Sequence, residues 1–237
     1  MQRFVRVQFL AVALSIIVPA GFYACVIAGV VDPLLASNVA VSVQVICWFF
    51  VVVAPFLFGG NAPQEVRLAA LIVFWGFVTF WAPVMWDLTW VFVHPLVDGS
   101  TAEDRWLWYW WMYAVADTRF LNSDPLMLML ETWSGILGFA HLYALTRFCK
   151  GEVRRAFYVA ASASMVQFYG TTAFFGVEIL LGFRNISPDF FSFYVKWWGM
   201  NGFWIVMPFV TTAAYLRLLA LEDFDAPAVL RRHVLGR

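Results

Sequence analysis

The sequence predicts an all-α polytopic membrane helix bundle, and three observations carry that prediction. Of 237 residues, 63% are hydrophobic and 19% aromatic, with a mean hydropathy of +0.78. Only 13% are charged, about half the share usual in soluble chains. The charges also cluster, leaving uncharged stretches long enough to cross a bilayer as helix, which takes about 20 residues. A soluble domain of this size has too little interior for so much apolar surface. Basic and acidic residues number 15 each, which excludes a nucleic-acid binder built on a basic patch; a disordered chain and a disulfide scaffold are excluded by composition as well.

The first span is predicted near 8–31, within the 25 uncharged residues between Arg6 and Asp32. Arg3 and Arg6 resemble the head of a signal peptide, but the run outlasts a signal core of about 7–15 residues and no clear cleavage site closes it. The second span, near 37–58, lies in the 32 residues between Asp32 and Glu65. The third, near 67–94, opens with 19 uncharged residues before Asp87. The fourth, near 126–148, carries Glu131. The fifth, near 155–182, fills the 22 residues before Glu178, and the sixth, near 193–217, the 20 between Lys196 and Arg217. Uniform apolarity over such lengths predicts helices rather than barrel strands. There is no internal repeat, low-complexity tract or soluble domain. Residues 1–36 read as an extra N-terminal transmembrane helix, 37–218 as a five-helix membrane domain and 219–237 as a cytoplasmic tail.

Six spans put both termini on one side together with the short turns near 59–66 and 149–154. That side holds 11 of the 15 Lys and Arg residues, Arg237 among them, and the other holds Arg105, Arg119, Arg184 and Lys196. The positive-inside rule then predicts cytoplasmic termini. Arg outnumbers Lys 13 to 2, and with the short loops and a tail without a retention signal this points to a bacterial inner membrane rather than the endoplasmic reticulum. A homodimer is a candidate assembly.

Ionisable groups cost about 2.5–3.5 kcal/mol at the centre of a membrane helix on insertion scales, so each one inside a span asks for a reason. Asp87, Glu131, Glu178, Lys196 and Asn201 all fall in the outer half of their helices. With Asp117 and Arg119 from the preceding loop they can converge on one pocket. Each also has a plainer reading. Glu178 and Lys196 can snorkel to the headgroups, and Asp87 can accept a hydrogen bond from a Trp. Glu131, near Ser134, Gly135 and Gly138, can join two helices through small residues. His94 stands seven residues beyond Asp87 as a partner or an interfacial residue, while His141 reads as a hydrogen-bonded core group and His233 as part of the exposed tail. Residues 98–125 carry Trp106, Trp108, Tyr109, Trp110, Trp111 and Tyr113, which read first as an interfacial aromatic belt and second as a wall over a cavity.

No metal or cofactor is indicated: Cys25, Cys47 and Cys149 are scattered, and there is no ligand-spaced His or Cys cluster and no nucleotide loop. Carboxylates, an amide and many aromatic rings in an apolar cavity suit a different chemistry. One acid can hold a proton while another accepts one, and aromatic faces stabilise a cation. Together they suit protonation of an alkene and deprotonation elsewhere.

The stretch Tyr113-Ala-Val-Ala-Asp-Thr-Arg-Phe120, followed by Glu131-Thr132, resembles the emopamil-binding protein family, which contains the sterol Δ8-Δ7 isomerases and belongs to the EXPERA superfamily. Gln167-Phe-Tyr-Gly170 leading to Glu178, and Tyr194 before Met200-Asn201-Gly-Phe-Trp204 and Pro208, resemble its later helices. The likeness covers about residues 40–218. It implies a five-helix bundle around a cavity open to lipid, with Glu131 as the family's helix glutamate and Asn201 and Trp204 as its last-helix pair. The third span departs from it: Asp87 replaces a glutamate, and the family's histidine position falls on Pro83. The expectation is a cofactor-independent isomerase of a sterol or terpenoid, with Glu131 and Asp87 together as the acid/base pair in either direction of proton transfer. Asn201, Trp204, Asp117, Arg119, Glu178, Tyr169 and Trp197 are expected to bind substrate. A membrane terpene cyclase and a non-catalytic lipid-binding protein are the alternatives.

Overall fold

The computed structural model describes residues 2–221 and 224–234; the remaining residues of the expected tail, including Arg237, lie outside the described set. Six long helices account for the six predicted spans. They are α1 (Arg3–Ile27), α2 (Pro33–Leu57), α3 (Gln64–Val97), then, after a short α4 (Trp108–Ala114), α5 (Pro125–Cys149), α6 (Val153–Leu180) and α7 (Phe191–Leu219). By length and composition α1, α2, α3 and α7 are apolar enough to cross a membrane. Helices α5 and α6 are long enough, at 25 and 28 residues, but carry buried polar groups such as His141, Gln167 and Glu178. A last short helix, α8 (Ala226–Val229), continues into a wider turn over Leu230–Val234.

Sequence signals set the helix starts. Asp32 and Asp124 each accept a hydrogen bond from the first turn, at Leu35 N and Leu126 N, both 2.8 Å. Each is followed by a proline, whose missing N–H costs nothing at that position. Pro83 has the opposite effect inside α3. It removes a backbone donor and crowds the preceding turn, and the helix widens into π-type turns over Pro83–Leu88. Helix α7 begins in the same way, with π-type turns over Phe191–Gly199. Such widened turns recur at functional sites, and the one in α3 contains Asp87.

Helices α2, α3, α5, α6 and α7 close a ring in that order, and α1 packs on the outside against α2. At the end near the termini the ring is filled by a core that includes Phe4, Val66, Phe148, Ala156 and Leu218. Ala226 and Leu230 join this core, so the described part of the tail is packed onto the bundle. At the other end the 98–124 segment lies across the ring. Trp108 Nε1 donates to Pro33 O at 2.8 Å, Trp86 Nε1 to Tyr109 O at 3.1 Å and Trp110 Nε1 to Thr89 Oγ1 at 2.9 Å. Trp108, Trp111 and Tyr113 are buried, and only Trp106 of the six aromatic residues is exposed. The segment takes the second of its two readings, a wall over the ring, since the Trp108 and Trp110 indoles donate to α2 and α3.

Helices α3 and α5 meet most closely where α5 has no side chains. A Cβ added at Gly135 would lie 2.6 Å from Leu88 Cβ, and one at Gly138 would lie 2.9 Å from Val84 Cγ2 and 3.2 Å from Phe80 O. Gly135→Ala is therefore expected to overpack this seam and lower stability by about 1–3 kcal/mol. Gly176→Ala on α6, where nothing lies within 4 Å of the new methyl group, is expected to raise it by about 0.5–1 kcal/mol through helix propensity alone. Unfolding of the detergent-solubilised variants checks both signs.

Candidate active site

Inside the ring, on the side of the 98–124 wall, lies a cavity of about 510 Å³, within the range of small-molecule sites. Its polar lining includes Asp87 from α3, Glu131 and Ser134 from α5, Gln44 from α2, Gln167 from α6 and Asn201 from α7. The rest is largely apolar and aromatic, with Trp48, Trp81, Trp86, Phe120 and Phe174 among the walls. Four lining residues are exposed, namely Met129, Trp133, Val166 and Tyr169. All four lie on α5 or α6, so the cavity opens sideways between those two helices.

The two acids meet because the glycine seam brings the helices together. Ser134 Oγ donates to Asp87 Oδ2 at 2.6 Å, and Glu131, one turn before Ser134 on α5, lines the cavity together with Asp87. Two neighbouring carboxyl groups disfavour ionising together, and both acids stand at the edge of a largely apolar space. Across from them, Asn201 Nδ2 donates to Tyr113 Oη at 2.6 Å and to Trp197 O at 2.7 Å, which holds the amide still. The Trp204 ring is wedged with its centroid 5.5 Å from that of Trp75 and 5.8 Å from that of Trp48. Asn201 and Trp204 both line the cavity, as their i, i+3 spacing requires.

Four residues expected at the site do not line it. Asp117, Arg119 and Glu178 form a buried charge cluster behind Phe174. Arg119 Nη2 lies 2.6 Å from Asp117 Oδ2 and its Nε 3.3 Å from Glu178 Oε1, with relative exposures of 3%, 0% and 0% for the three side chains. The guanidinium stacks 4.5 Å from the centre of the Phe174 ring, and Glu178 also accepts from Asn185 Nδ2 at 2.8 Å. Because Thr118 N donates to Asn185 O and Ser187 N to Ala116 O, this cluster ties the wall to the α6–α7 loop. Trp197 is buried against Phe174, Phe175 and Phe183. Tyr169 sits at the mouth, 75% exposed.

Neither snorkelling nor a pocket role describes Lys196, which is fully buried away from the cavity lining. His94 pairs with Ser123, Nδ1 to Oγ 2.9 Å, and not with Asp87. His141 Nε2 lies 3.0 Å from Gln167 Oε1, the hydrogen-bonded core role expected of it. Sequence reasoning passed over Gln44 and Met112 as lining groups, while Tyr109 belongs to the segment whose second reading was a wall over a cavity. For Gln44 the signal was present: it is a primary amide in the middle of a long uncharged run. Arg119→Met strands two acids in the interior and is expected to cost about 3–5 kcal/mol of stability. Chemical unfolding in detergent measures it, with ligand binding by the fraction still folded left intact.

Residues 108–214 match the sequence model of the EXPERA family, described as the EXPanded EBP superfamily. A protein of Arabidopsis thaliana, named probable 3-beta-hydroxysteroid-Delta(8),Delta(7)-isomerase, is 24% identical over 146 residues, which is 61% of this chain. The chain aligns to 64% of that relative's length, just under two-thirds. No solved structure matches the chain at a significant level. The segment from α4 through α6 into α7 is thus an EXPERA segment, and the resemblance to the emopamil-binding protein family read from the residues is borne out there.

Proposed function

We propose that the chain is an integral membrane isomerase that shifts a carbon–carbon double bond in a sterol or terpenoid. The observation that carries this reading is that Asp87 and Glu131 both line an aromatic cavity that opens sideways between two membrane helices. The match to EXPERA and the likeness to a plant protein named for sterol isomerisation support the same class of reaction. The lipid enters between α5 and α6. The protonated carboxyl of the pair gives its proton to one alkene carbon, and the other carbon of the double bond becomes the cation. A neighbouring C–H then yields its proton to a carboxylate, and that electron pair forms the new double bond. Composition is unchanged and no cofactor is consumed.

Each remaining group has a part in this reading. Trp204 presents a π face to the cation, while Asn201, fixed by Tyr113, orients substrate or acid. Asp117, Arg119, Glu178 and Trp197 act by holding the wall and the α7 entrance turn, and Tyr169 meets the lipid at the mouth. The positive-inside count supports cytoplasmic termini, and the excess of Arg over Lys a bacterial inner membrane.

One observation favours a second reading. Pro83 stands where the resemblance places a histidine, and Asp87 where it places a glutamate, so this chain lacks part of the sterol isomerase set. The same acid and aromatic cavity would serve a terpene cyclase, in which the first cation closes a ring before the proton is lost.

Glu131→Gln tests the acid–base role. It keeps shape and hydrogen bonding but cannot trade the proton, so turnover is expected to fall by about 10²–10⁴-fold while lipid binding stays within a few-fold. Undiminished turnover in a folded variant would remove Glu131 from the chemistry.

A further inference from the structure

A second, smaller cavity lies between α3, α5, α6 and α7. Its volume is about 20 Å³, and Thr79, His141, Ser164, Thr211 and Tyr215 line it together with apolar neighbours such as Ile72 and Trp75. None of these residues lines the larger cavity. Ala144, Ala160 and Tyr215, which line the small one, also belong to the core at the end near the termini. The small cavity therefore sits between that core and the candidate active site.

Five side chains able to hydrogen-bond thus converge in the middle of an apolar bundle. Thr79 Oγ1 donates to Gly76 O at 3.0 Å and Thr211 Oγ1 to Met207 O at 2.7 Å, so each oxygen keeps its lone pairs for another donor. His141 Nε2 is taken by Gln167 Oε1 at 3.0 Å. Among the described residues His141 Nδ1, Ser164 Oγ and Tyr215 Oη pair with no protein group, and none of the three is closed off from a water-sized partner. Voids that stay dry are apolar, whereas a polar one with more than about 10–15 Å³ of room and two to four partners holds a water.

We propose that this cavity binds one internal water molecule, and that the water makes His141 a positioning residue for Gln167. The water donates to His141 Nδ1 and accepts from the Ser164 and Tyr215 hydroxyls, and its second hydrogen goes to Thr79 or Thr211. A bare Nδ1 places the ring proton on Nε2, because the bond made at one imidazole nitrogen sets the state of the other. Nε2 then donates to Gln167 Oε1. Gln167 also lines the larger cavity, and with its oxygen engaged it offers that cavity its NH2 end. A water outside the active cavity thus decides which end of an amide the active cavity meets. This goes beyond the isomerase reading and holds for whichever reaction the cavity performs.

The test uses the full chain in detergent micelles with its histidines labelled by 15N, the His141 signal being the one lost in His141→Asn. The ring is expected to carry its proton on Nε2 alone, and magnetisation is expected to pass to it from water. Tyr215→Phe removes one partner of the water and is expected to lower the folding equilibrium constant about fivefold, the worth of one ordinary hydrogen bond. It is also expected to move the His141 Nδ1 resonance. In a dry cavity the unpaired hydroxyl is a liability, so the same variant would be as stable as wild type or more so. That result overturns the proposal, as does a proton on Nδ1 or no transfer from water to His141. Should Tyr215→Phe fold too poorly to measure, the wild-type spectrum and Ser164→Ala, with the same expected directions, decide. Turnover plays no part in the readout, so this proposal and the isomerase reading stand or fall separately.

Discussion

Everything proposed for this molecule depends on how closely α3 and α5 approach. Asp87 and Glu131 stand on separate helices, and the approach of those helices sets how near the two carboxyl groups lie. Gly135 and Gly138 remove those side chains from α5, and the widened turn that begins at Pro83 presents Leu88 and Val84 to the gap. Ser134, between the glycines and the acid, then fixes one oxygen of Asp87. In a membrane the apolar effect offers little to draw helices together, so close packing of small residues and hydrogen bonds must do it. The same contact therefore serves as helix glue and as the assembly of the acid pair. The plainer reading of Glu131 from its sequence neighbours and the chemical one are two descriptions of one seam.

A second division of labour separates charge used for structure from charge available to a ligand. Asp117, Arg119 and Glu178 are shut away behind Phe174, where they bind the aromatic wall to the α6–α7 loop. Leaving any one of them without its partner inside the protein costs more than the intact cluster gains, so the arrangement specifies one position for the wall. The wall in turn supplies Tyr113, which holds Asn201. Rigidity reaches the cavity by this route even though none of the three charges lines it.

The number and limits of the long helices were legible because charge is so scarce here. Asp32, Arg67, Arg155 and Arg217 mark the span limits to within a few residues of what the structure has. Polar residues isolated within spans also pointed toward one depth, and Asp87, Glu131 and Asn201 do line one cavity. Polarity alone does not give direction, however. Asp117 and Arg119 are two residues apart and satisfy each other, and Glu178 is near enough to join them, which only a folded loop reveals. The aromatic segment was ambiguous for a related reason: Trp at a membrane interface and Trp over a cavity look alike until their N–H partners are known. Gln44 carried a signal, a primary amide within a long uncharged run, but only the fold shows that it lines the cavity.

The central claim is that this protein puts a proton on a lipid carbon. Incubating the purified protein with sterols and polyprenoids in deuterated water, and reading the products by mass spectrometry, tests it most directly. The account predicts deuterium at carbon in a product of otherwise unchanged composition, with label in a newly closed ring identifying the cyclase form of the same chemistry. Lipids that bind and come back without label at any carbon would contradict it and leave a lipid-binding protein.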